Sequence, residues 1–118
     1  MIVKGVCISA FAALLLASAG LPVQAAGFNC EKAEAADEKA ICADRELNDE
    51  DVAMSVLYTQ LKPLLAMGAR GDLEEAQVTW LKRRQACGSE RSCLSKAYAD
   101  RLFQLRAAFD EIAKRGPF

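Results

Sequence analysis

The stretch WLKRRQACGSERSC, Trp80 to Cys93, decides the fold, because it closes one helix and opens the next within fourteen residues. Upstream of it Leu73, Ala76, Gln77, Trp80, Arg84 and Cys87 fall on one helical stripe, and Gly88 supplies the residue that stops a helix. The next helix is expected to start between Ser89 and Ser92 and to run to about Lys114. It carries Leu94, Tyr98, Arg101, Leu102, Leu105, Phe109 and Ile112 on one face and ends before Gly116-Pro117. A connection this short makes the two helices antiparallel neighbours. Lys82 and Arg83 point away from the stripe, toward water.

Working back toward the N-terminus, Leu47, Met54, Leu57, Tyr58, Leu61, Leu64 and Leu65 mark another helical face, with Pro63 kinking or dividing the helix near its end. Gly68 and Gly71 predict a turn, and Asp72 an N-cap for the helix that follows, with Glu74 and Glu75 in its first turn. Ala, Leu, Glu, Lys, Arg and Gln dominate and β-branched residues are few, which favours helix. The expected fold is therefore all-α: a small, disulfide-stapled antiparallel three-helix bundle. A segment with one or two short helical turns, Phe28 to Asp44, precedes it.

The first residues have another character. Lys4, an apolar run from Val6 to Ala19 and the small-residue stretch GLPVQAAG have the layout of a secretory leader. Cleavage after Ala25 fits best, with Val23 and Ala25 at minus three and minus one, and cleavage after Ala26 is nearly as good. The apolar run is short for a span of roughly 20 residues, and Gly20-Leu21-Pro22 interrupts it, so no membrane anchor is expected after cleavage. Residues 1–25 are thus read as a leader and 26–118 as a single domain, periplasmic or secreted. Cys7 is too early in the leader to be a lipidation site.

Four cysteines remain beyond the leader, Cys30, Cys42, Cys87 and Cys93. An even number in an oxidising compartment, in a domain too small to bury a large core, points to two disulfides. Local pairing is the expectation, Cys30 with Cys42 and Cys87 with Cys93, while a bridge from the N-terminal segment to the second helix stays open on sequence alone.

Other chemistries find little support. The cysteine spacings of twelve and six positions do not match a zinc ribbon and the chain has no histidine, so no metal and no cofactor are expected. Cys-x-x-Cys redox geometry is missing, as is any Ser-His, Cys-His or Gly-rich phosphate signature, and an enzyme is not expected. The Lys82-Arg83-Arg84 run sits beside one aromatic in a chain of net charge -1, a poor basis for nucleic-acid binding. Charge is unevenly spread: Glu31 to Asp51 holds nine acids and three bases, and Lys82 to Arg115 nine bases and four acids. Arg84 and Arg101 lie on apolar stripes, and desolvated charges need partners. Asp51 or Glu50 is expected to pair with Arg84 or Arg101, with Tyr58 and Tyr98 supplying hydroxyls; the alternative is that the charges snorkel at the stripe edge.

These residues, taken in order, resemble one family. FNCEKAEAADEKAIC (Phe28 to Cys42), then Leu47, Asp51 and Tyr58, then QVTWLKRRQAC (Gln77 to Cys87), then Cys93-Leu94, Tyr98, Arg101 and Leu105 are similar to the LprI-like family of small secreted bacterial domains, named for a lysozyme inhibitor. The resemblance runs from Phe28 to Leu105 and departs from the family pattern at Glu50, where an apolar residue is usual, and at the AMGARGD stretch, where related chains often continue helix. It implies a helical, disulfide-bonded domain in which Asp51, Tyr58, Trp80, Leu81, Arg84, Tyr98 and Arg101 are framework. It also implies inhibition of lysozyme by direct binding. An acidic segment with Glu31, Glu34, Asp37 and Glu38 is the candidate surface for a cationic protein partner. The alternative function is an envelope interaction domain of other specificity, in stress response or toxin neutralisation.

Overall fold

A computed structural model describes residues 27–116, and the expected leader lies outside the described residues. Four α-helices follow one another: α1 (Ala36–Ala43), α2 (Arg45–Leu61), α3 (Met67–Ala86) and α4 (Arg91–Ala113). Short 3-10 turns at Cys30–Lys32 and Lys62–Leu64 complete the order, and the described residues contain no strand. The all-α architecture expected from the periodicities is what the chain adopts.

The N-terminal segment is organised by small polar caps. Asn29 accepts a hydrogen bond from the Glu31 N–H and starts the first 3-10 turn. Asp44 ends α1 in an extended conformation and its carboxylate accepts from the N–H groups of Glu46 and Leu47, so one residue both terminates α1 and caps α2. Arg91 at the start of α4 reaches back to Asp44 at 2.7 Å and also pairs with Glu46, clamping the α1–α2 joint to the α3–α4 corner. The Asp44 carboxyl is held below its ordinary pKa, first by the Leu47 N–H and then by Arg91.

Pro63 behaves as its chemistry requires. It stands in the first positions of the Lys62–Leu64 turn, so α2 stops at Leu61. The expected turn at Gly68 and Gly71 is not formed. Instead α3 begins at Met67 and runs through both glycines, and Asp72 is an interior helical residue, not a cap. The break needed only the five residues 62–66, because Arg70 satisfies its open carbonyls, donating from Nε to Lys62 O at 2.9 Å and from Nη2 to Leu65 O at 3.1 Å. Nothing lies within 4 Å of where a Cβ would sit on Gly68 or Gly71, so neither glycine is demanded by packing. Leu64, placed on the α2 stripe by periodicity, falls in the 3-10 turn and is exposed.

The core lies where α2, α3 and α4 meet, with α2 packed most extensively against α4. Leu47, Met54 and Leu61 from α2 meet Leu94, Tyr98 and Leu105 from α4, and Ile41 of α1 closes one end. Trp80 reaches from α3 into this core, its ring edge-on to Tyr98 at 5.1 Å and its indole N–H donating to Ala97 O at 2.8 Å. Both disulfides are local, Cys30–Cys42 and Cys87–Cys93. The second spans the α3–α4 corner, where Gly88 takes a φ of 56° that a side chain would resist.

Candidate functional site

The polar centre of the domain is built around Arg84, one turn beyond Trp80 on α3. Its guanidinium is buried and donates from Nε to Asp37 Oδ2 at 2.8 Å and from Nη1 to Asp51 Oδ1 at 3.4 Å. The same Asp51 oxygen accepts the Tyr98 hydroxyl at 2.7 Å, and Asp51 Oδ2 accepts the Gly27 N–H at 2.7 Å. The rings of Phe28 and Trp80 flank the guanidinium, with centroids 5.3 and 5.8 Å from Cζ. Four parts of the chain, the segment at Gly27–Phe28, α1, α2 and α3, thus converge on one cation, while α4 contributes the hydroxyl.

Electrostatics keeps the cluster in one state. Burial works against the charge on Arg84, but the Tyr98 oxygen, Asp37 and Asp51 outweigh it and raise the guanidinium pKa. Burial, then the neighbouring Asp51 charge and hydrogen bond, push the Tyr98 phenol far above its ordinary range, so it remains a donor. The expected Asp51–Arg84 pair and the Tyr98 hydroxyl are both present. Asp37, placed by sequence reasoning on an acidic surface, is instead 1% exposed and is the closer partner of Arg84. A clue was available: Asp37 lies four positions before Ile41, itself fully buried, on the same face of α1.

Arg101 is handled differently. Its Nε donates to Gln77 Oε1 at 2.9 Å and its Nη1 to Gln104 Oε1 at 3.1 Å, while Gln77 Nε2 contacts Met54 Sδ at 3.1 Å. Burial lowers the pKa of Arg101, and its Nη2 is buried without a partner. Tyr58 is half-buried with Lys62 Nζ 5.5 Å from its ring centroid, and Leu81 is half-buried against the core. Glu50 pairs with neither arginine. Its Oε2 is buried and unpartnered, and desolvation, then the Glu46 charge, raise its pKa.

Outside the core, Glu31 and Glu34 are exposed and Glu38 is half-buried, its carboxylate accepting from the Glu34 N–H. A groove of about 880 Å3 lies between α2 and α4, lined by Glu46, Asp49, Glu50 and Arg106 with Phe103 at its edge. Phe103 is 74% exposed. No group of metal-ligating side chains is found among the described residues, and no described helix is long and apolar enough to cross a membrane.

A buried Asp–Arg–Asp cluster inside a disulfide-stapled helical bundle defines a small all-α scaffold domain. The model of the family described as Lysozyme inhibitor LprI matches residues 30–115, and the chain belongs to that family. Proteins named Lipoprotein LprI from Mycobacterium bovis and from two strains of Mycobacterium tuberculosis are each 32% identical to it over 111 residues, covering 92% of this chain. That alignment covers 55% of each relative, so the chain spans about half the length of the curated relatives it matches. No solved structure matches the chain.

Proposed function

We propose that this domain works outside the cytoplasm, in the periplasm or secreted, as an inhibitor that binds a lysozyme-type cell-wall hydrolase. Membership of the lysozyme inhibitor LprI family carries the proposal. Arg84 is already paired inside the fold with Asp37 and Asp51, which supports a binding role over a catalytic one. The outer surface of the N-terminal segment is the face we assign to a partner. There Glu31 and Glu34 project from backbone fixed by the Cys30–Cys42 bridge, with Glu38 beside them. A rigid acidic surface loses little conformational entropy on docking and steers a cationic enzyme toward it.

The test is a lysis assay. Purified domain titrated into lysozyme acting on bacterial cell walls should slow lysis in a saturable, dose-dependent way. Unchanged lysis at a large molar excess would remove the proposal. Capture of a different envelope protein, with lysis unaffected, would redirect the function to an interaction domain of other specificity.

A further inference from the structure

The Arg84 cluster holds two carboxylates and one guanidinium. Asp37 and Asp51 are each 1% exposed, and Arg84 is the one cation within ion-pair distance of either among the described residues. Arg101 is engaged by Gln77 and Gln104 instead. With both acids ionised the cluster carries one net negative charge, and an uncompensated buried charge is costly. Two further donors point at it: the Tyr98 hydroxyl, 2.7 Å from Asp51 Oδ1, and the backbone nitrogen of Gly27, 2.7 Å from Asp51 Oδ2.

That nitrogen stands beside the expected leader-cleavage point. Hydrolysis after Ala25 or Ala26 gives the leader a new carboxylate and leaves the domain a new amine, which takes up a proton at neutral pH. The amine is then either the Gly27 nitrogen itself or lies one peptide unit away, where successive Cα atoms are about 3.8 Å apart. We infer that leader removal creates an α-ammonium that pairs with Asp51 and neutralises the Arg84 cluster, so that the processed N-terminus is an internal ion-pair partner of the fold.

The local geometry is shaped for this end of the chain. A Cβ on Gly27 would lie 1.9 Å from Ser55 Oγ and 2.8 Å from Ser55 Cβ, so only glycine lets the nitrogen approach this closely. The next residue, Phe28, lies over the Arg84 guanidinium and fixes the approach. The other polar groups facing the position are Glu38, Ser55, Gln77 and Gln85, which line the same recess, and Glu38 adds to the negative potential.

The test uses the exported protein. Its intact mass should place the first residue at 26 or 27, and a first residue elsewhere overturns the inference. Its thermal unfolding at pH 7 is compared with that of the same chain retaining residues 21–26, whose amine is carried away from Asp51. The extended chain should melt about 4–8 °C lower, and equal melting overturns the inference. Acylation of the α-amine at pH 8, followed by mass spectrometry, gives a second measurement. The exported chain should react at least tenfold more slowly than the extended one, because an ion-paired ammonium keeps its proton above its ordinary pKa of about 7.7–8.0. Equal rates overturn the proposal.

Discussion

Arg84 and Asp37 are 47 positions apart in sequence and 2.8 Å apart in the fold, and both are buried. Through this contact α1, which is only eight residues long, is fastened to α3. Arg84 is the shared cation, so Arg84→Ala strands two buried carboxylates and should cost about 3–5 kcal/mol, while Asp37→Ala and Asp51→Ala each leave Arg84 one carboxylate and should cost less. Combined with Arg84→Ala, each should be much less than additive in urea unfolding, because the three residues share one network. Strict additivity would mean that the contact is energetically silent.

The α3–α4 corner is covalently closed by Cys87–Cys93. Replacing both cysteines with serine should lower stability by about 2–3 kcal/mol, as expected for a small closed loop. Denaturant midpoints of the two proteins measure the loss. Peptide mapping under non-reducing conditions should recover the Cys87–Cys93 and Cys30–Cys42 linkages and no crossed pair.

Glu50 predicts a pH signature of unusual sign. Its carboxyl has a raised pKa in the folded chain because burial, with Glu46 beside it, disfavours the charged form. The unfolded chain therefore gives up this proton more readily, and the charge weakens the fold increasingly as pH rises from the unfolded pKa through the folded one. Glu50→Gln should stabilise the domain at pH 7, and the gain should vanish below the ordinary Glu pKa of 4.5, where wild type is protonated too. A gain that persists unchanged at pH 3 would assign it to packing.

Gly71 is an exposed interior residue of α3 with open space around its Cα. Gly71→Ala should raise stability by about 0.5–1 kcal/mol through helix propensity and loss of unfolded-state freedom. A decrease in melting temperature would show that α3 is not continuous through this point.

If the acidic N-terminal surface meets a cationic hydrolase, Glu31→Gln with Glu34→Gln should weaken inhibition severalfold at low ionic strength and less at high. The melting temperature should stay unchanged, since both side chains are exposed. Inhibition insensitive to this double change would move the contact elsewhere, with the groove beside Phe103 the next surface to alter.

The bundle was legible because its helices are amphipathic: Leu94, Tyr98, Leu102 and Leu105 are buried where their spacing puts them. Asp51–Arg84 was legible as charge stranded on an apolar stripe. Asp37 was not, because α1 is short and polar, and a single buried carboxylate within DEK looks like any solvated acid until its partner from α3 is in place. The α2–α3 junction was misplaced for a related reason. Glycine weakens a helix without forbidding it, and the carbonyls freed at Lys62 and Leu65 are satisfied by Arg70, a contact of a kind that periodicity does not report.

The order of the bridges along the chain has a consequence for biogenesis. Beyond residue 27 each cysteine is joined to the next one in sequence, 30 to 42 and 87 to 93. If the domain is exported N-terminus first into an oxidising space, the cysteines beyond residue 27 emerge in the order in which they pair, which favours the native linkages over crossed ones.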